Sequence, residues 1–82
     1  MLSELKNCKK VIGTKQAKRA LLDDNAKLIY IAKDAESHVV NKIKELSKSK
    51  SVEIVLVDTM RDLGKACGID VSAASVAIIK TE

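Results

Sequence analysis

The chain has no proline, tryptophan or phenylalanine, and Tyr30 is its single aromatic residue. Proteins that hold single-stranded nucleic acid normally stack bases on several aromatic rings, each stack worth about 1–3 kcal/mol, so recognition by stacking is nearly excluded. Without proline, low-complexity tract or internal repeat there is no sign of a linker, and residues 1–82 are expected to form one domain. No apolar run approaches the ~18 residues of a membrane span. Met1-Leu2-Ser3-Glu4 lacks the charged and hydrophobic regions of a signal peptide, so a cytoplasmic location is expected. Cys8 and Cys67 are far apart and lack a second pair of metal ligands; reduced thiols are expected rather than a zinc site.

Catalytic groupings are equally scarce. His38 is the only histidine, follows Ser37 at a predicted helix start and has no evident partner. Asp34, Glu36 and Asp58 fall near predicted strand ends, where capping and turn roles account for them. No nucleophile sits beside a base, and no glycine-rich segment has Walker spacing. A domain of this size buries only about 60–65% of its unfolded surface and leaves little room for a deep cleft. Neither enzymatic activity nor a cofactor is expected.

Positive charge is present and unevenly placed. Six basic side chains against Glu4 leave residues 1–20 at +5, residues 21–50 stand at +1, and residues 51–82 at −2. Such clustering suits a polyanion, although a lysine-rich helix face also arises simply as a solvated surface. The densest feature is Gly13-Thr14-Lys15-Gln16-Ala17-Lys18-Arg19, in which Gly13 and a candidate N-cap, Thr14, open a helix to about Leu22. Ala17, Ala20 and Leu21 share one face at helical spacing while Lys15, Lys18 and Arg19 share the other. A helix start of this kind combines unpaired N–H groups, the positive end of a dipole and cations, which together attract anions.

The remaining pattern alternates helix-like and strand-like segments. A first helix is predicted over residues 3–9, a short edge strand at Val11-Ile12, and a buried strand over Leu28-Ile29-Tyr30-Ile31-Ala32. Ser37 is the predicted N-cap of a helix to about Lys48, with Val39, Val40, Ile43 and Leu46 inward. A second buried strand is expected over Val52 to Val57, then a helix from Asp58 or Thr59 that carries the Thr59/Asp62 capping-box spacing and stops at Gly68. Residues 69–75 form a loop before a last strand, Val76-Ala77-Ile78-Ile79. Apolar runs separated by helices imply a sheet covered on both faces: a three-layer α/β/α sandwich with a mixed sheet of about four strands. The loop is more apolar than a solvated turn requires, and either packing under the last helix or contact with a partner accounts for Ile69 and Val71.

Two segments carry a family resemblance: Gly13-Thr14-Lys15-Gln16-Ala17-Lys18-Arg19-Ala20-Leu21, and Leu63-Gly64-Lys65-Ala66-Cys67-Gly68-Ile69-Asp70-Val71-Ser72-Ala73-Ala74-Ser75-Val76-Ala77-Ile78. Together with Ile31-Ala32-Lys33-Asp34-Ala35 between them, they resemble the L7Ae/L30e superfamily of ribosomal and kink-turn RNA-binding proteins over nearly the whole chain. The likeness is to its small, single-domain bacterial branch. What it implies is a monomer that binds structured RNA containing a kink-turn, in ribosomal RNA or in association with the ribosome, and stabilises the bend.

In that family one helix start lies against tandem sheared G·A pairs while a hydrophobic loop covers extruded bases. Carried over, the helix start is Gly13, Thr14, Lys15, Gln16, Lys18 and Arg19, assisted by Lys33, and the loop is Ile69, Asp70, Val71, Ser72 and Ala73. The resemblance implies that Gly13 lets the backbone approach ribose-phosphate, that Thr14 bonds a phosphate oxygen or caps the helix, and that Lys15 and Gln16 reach guanine edges. Arg19 and Lys18, with Lys33, would hold phosphate, and Ile69 and Val71 would close over a flipped base. Many members carry asparagine and glutamate where this chain has Lys15 and Gln16, and an amide accepts fewer hydrogen bonds than a carboxylate. The alternative is a non-catalytic protein-binding scaffold of the same fold, which tolerates these cations without needing them.

Overall fold

The apolar runs assemble into one four-stranded sheet in the computed structural model, which describes residues 9–80. In chain order the elements are β1 (Lys10–Ile12), α1 (Thr14–Leu22), β2 (Ala26–Ala32), α2 (Ser37–Ser49), β3 (Glu53–Val57), α3 (Met60–Ala66) and β4 (Ser75–Ile79). The strand order is β1-β4-β2-β3. β4 runs antiparallel to both β1 and β2, whereas β2 and β3 are parallel, so the sheet is mixed as expected. The predicted helix over residues 3–9 falls, but for Lys9, outside the described residues, as does Cys8.

Because successive strand residues point to opposite faces, each apolar run feeds two cores. Ile29, Ile31, Ala77 and Ile79 pack under Ala17, Ala20 and Leu21 of α1 and Ile43 of α2. Tyr30, Ala32, Val76 and Ile78 pack under Leu63 of α3 with Cys67 and Ala73. This is the three-layer arrangement, with α1 and α2 on one face and α3 on the other among the described residues. Tyr30 is 2% exposed, so the single aromatic ring belongs to the core.

Three expectations need correction. β3 is not a buried strand: it pairs only with β2 at the edge of the sheet, its residues before Val57 are half-buried or exposed, and Leu56 stands 48% exposed. Ser37 is not an N-cap; Glu36 holds that position because its carbonyl accepts from the Val39 and Val40 N–H groups, which places Ser37 inside the first turn. Thr14 likewise lies within α1, and the N-cap is Gly13, with no side-chain capping bond. The start of α3 is as predicted, with Thr59 Oγ1 accepting from the Asp62 N–H at 3.0 Å.

One consequence of the pairing positions everything that follows. β1, β2 and β3 run in the same direction, and each is followed by a helix. The starts of α1, α2 and α3 therefore lie at the end of the sheet where β4 begins.

Candidate nucleic-acid interface

Gly13 leaves β1 at φ 109°, ψ 153°, a region open to glycine and strained for any other residue. Nothing lies within 4 Å of the position a Cβ would occupy there, so the turn is exposed on its outer side. Its N–H donates to the Ser75 carbonyl at 2.9 Å, and the Ser75 hydroxyl donates to Thr14 Oγ1 at 3.2 Å. Ser75 is buried and its bond to Thr14 is half-buried; together the two bonds link the start of α1 to the first residue of β4, where the preceding loop ends. The helical ladder begins with the Ala17 N–H on the Gly13 carbonyl, and amides before it have no partner within the helix. Lys15, Gln16, Lys18 and Arg19 are all exposed.

The loop is built onto α3. Gly68, at φ 78°, ends the helix in a Schellman motif: the Gly68 N–H donates to the Lys65 carbonyl and the Ile69 N–H to the Gly64 carbonyl. Farther on, the Ala73 N–H donates to the Met60 carbonyl, and the Ala74 carbonyl accepts from the Ala32 N–H at the end of β2. Between these anchors the Val71 carbonyl passes so close to Gly64 that a Cβ there would collide with it. Gly64 thus sets how near the loop lies to α3, a role the residue pattern alone did not reveal. The available signal was a glycine inside a helix, where it costs about 1 kcal/mol relative to alanine and so requires a reason.

Pinning divides the loop residues. Asp70, Val71 and Ser72 face outward, and Val71 is 68% exposed. Ile69 is half-buried against the α3 core, and Ala73 is 3% exposed within it. The outward surface of the loop is thus carried by Asp70, Val71 and Ser72, with Ile69 partly shielded and the Ala73 side chain turned into the core. Lys33 follows β2 at the same end; its N–H donates to the Val57 carbonyl, and its ammonium meets Asp58 at 3.5 Å in a solvent-exposed pair. Asp34 Oδ1 accepts from the Met60 N–H at 2.7 Å, joining the β2 exit to the start of α3. The end of the sheet therefore carries an uncapped helix start with exposed cations beside a tethered loop tip bearing one exposed apolar side chain.

Residues 2–82 match the model of the ribosomal protein L7Ae/L30e/S12e/Gadd45 family. The chain belongs to this family. It is 54% identical over 69 residues to an RNA-binding protein of Caldanaerobacter subterraneus, covering 84% of each chain. It is 53% identical over 70 residues to an RNA-binding protein of Halalkalibacterium halodurans, covering 85% of each. Large ribosomal subunit protein eL8 of Halobacterium salinarum is 32% identical over 68 residues, which make up 82% of this chain and 57% of that protein. Among solved structures, the Giardia lamblia 15.5kD RNA binding protein superposes with a TM-score of 0.91 at 24% identity, covering 99% of this chain and 72% of that one. The last likeness is one of fold.

Within this L7Ae-family domain one cation departs from the expected cluster. Lys15, Lys18 and Arg19 are all exposed, but Lys18 alone of the three lines a cleft between α1 and α2 with Lys42, Glu45, Leu46 and Ser49. Arg19 also sits 3.9 Å from Asp23, with both side chains exposed; such pairs hold little energy and yield readily to a phosphate. Burial pushes the Cys67 thiol up from its ordinary range, partly opposed by nearby Lys10, so Cys67 is a protonated core residue. His38 pairs with Glu36 at 3.3 Å on the surface. Among the described residues no group of three or more His, Cys, Asp or Glu side chains is placed to hold a metal. No helix among them is long and apolar enough to cross a membrane.

Proposed function

We propose that this chain binds RNA without catalysis, and that its target is a kink-turn in ribosomal RNA or another ribosome-associated transcript of the cytoplasm. The observation that carries this reading is the double tether of Gly13 and Thr14 to Ser75, which holds the start of α1 and the outward loop on one surface. Its similarity to the RNA-binding proteins of Caldanaerobacter subterraneus and Halalkalibacterium halodurans supports the class of ligand.

On this reading the open side of Gly13 admits the ribose-phosphate chain, and the uncapped amides and dipole of α1 face its charge. Thr14 accepts from Ser75 and so has its own hydroxyl proton to donate to a phosphate oxygen. Lys15 and Gln16 read guanine edges, at about 1–3 kcal/mol of discrimination for each good contact. Arg19 and Lys33 exchange their weak exposed carboxylate partners for phosphate. Val71 covers an extruded base, while Asp70 and Ser72 offer polar groups beside it.

Electrophoretic mobility of a kink-turn RNA, against the same RNA with its sheared G·A pairs replaced, tests this directly. The intact RNA should bind and the altered one should lose most of its affinity. Equal binding of both would refute kink-turn recognition, and binding of neither would favour the protein-scaffold alternative.

A further inference from the structure

α1 and α2 both start at the end of the sheet that carries the proposed RNA surface, and they run side by side away from it. Lys18 is the fifth residue of α1 and Lys42 the sixth of α2, so both stand about 6–8 Å along their helices from the start. They line the same cleft, and among the described residues neither is held in an ion pair. Glu45 and Ser49 lie farther along α2, toward its C-terminal end. Two lysines without an ion-pair partner, on the walls of one cleft and about one turn past the helix starts, are placed to receive a second stretch of the same polyanion.

We infer that the cleft between α1 and α2 is an auxiliary phosphate track, in which Lys18 and Lys42 hold the backbone of a duplex arm extending beyond the primary site. The inference rests on the reading above and deepens it by adding a preference for RNA arm length. Lys42 touches only the extended arm. Glu45, as the carboxylate of the cleft, opposes the track and limits how far the arm follows α2.

The test uses kink-turn RNAs in which each helical arm in turn is either cut to half a helical turn or extended to a full turn. Affinities are measured by fluorescence anisotropy at several salt concentrations. Wild-type protein should prefer one extended arm, with a log-affinity against log-salt slope steeper by about 0.9 for each added phosphate contact. Lys42→Ala should reduce that slope by about 0.9, which amounts to roughly a three- to fourfold difference between 50 and 200 mM salt, while binding of the short-armed RNA stays unchanged. Lys42→Arg should retain the preference, and Glu45→Gln should raise affinity for the extended arm about twofold. Equal affinity of wild-type protein for short and long arms overturns the inference while leaving the primary reading intact. So does a Lys42→Ala effect of the same size on both RNAs. Failure to bind any of these RNAs sinks the primary reading, and the track with it.

Discussion

Gly64→Ala separates two opposing effects at one atom. Replacing a mid-helix glycine with alanine stabilises an unconstrained helix by about 1 kcal/mol. Here the added methyl meets the Val71 carbonyl and crowds the adjoining Ser72 backbone, at 3.3 Å from its Cα. Overpacking of this kind costs about 1–3 kcal/mol, and the upper part of that range applies because both partners are backbone and neither can rotate away. The net result should be a loss of about 1–2 kcal/mol, seen as a fall in melting temperature of roughly 4–16 °C for a domain of this size. Relief requires the loop to lift from α3, which strains the Ala73 N–H bond to Met60 and moves Val71. Kink-turn affinity should therefore fall with stability. Urea and thermal unfolding, with amide chemical shifts of residues 69–74 and a mobility-shift titration, read both effects. A variant more stable than wild type, with unshifted loop amides and full affinity, would show that Gly64 does not set the loop.

Val71→Asp removes an exposed apolar contact and should weaken RNA binding while changing unfolding free energy by no more than about 0.5 kcal/mol; large destabilisation would assign Val71 to packing instead. Lys15→Ala with Arg19→Ala should weaken kink-turn binding strongly and lower the salt slope by about 1, the share of the Arg19 phosphate contact, and an unchanged slope would remove the electrostatic basis of the site. The Cys67 thiol has its pKa raised above an ordinary value of 9.0, chiefly by burial. The unfolded chain therefore loses this proton first as pH rises, and stability should decline above pH 9 in wild type but less in Cys67→Ala. At pH 8, in a Cys8→Ser background that leaves Cys67 as the single thiol, it should react with iodoacetamide only as fast as the protein opens, and reaction at the rate of a free thiol would contradict its burial.

Much of the layering was legible because apolar runs and helical spacing report burial directly. Leu28 to Ala32 and Val76 to Ile79 became inner strands, and the inward face of α1 is the predicted Ala17, Ala20 and Leu21. The run from Val52 to Val57 has the same composition, yet it lies at the sheet edge, since composition does not state how many neighbours a strand will have. Both displaced caps, Glu36 for Ser37 and Gly13 for Thr14, moved by one residue because a cap is decided by which carbonyl opens the ladder. Lys18 shares a helical face with Lys15 and Arg19 in projection, but only the docking of α2 turns its flank into a cleft.

By itself the amino-acid pattern determined that this chain is an aromatic-poor α/β domain with a basic helix start and a loop richer in apolar residues than solvent would require. It did so because helical and strand periodicity, side-chain charge and glycine's conformational freedom are local properties. Tertiary structure alone decided that residues 13–14 and residue 75, some sixty positions apart, share hydrogen bonds, and which loop side chains face outward. Strand order and the approach of backbone to Gly64 are matters of distance between remote segments, which no local periodicity encodes.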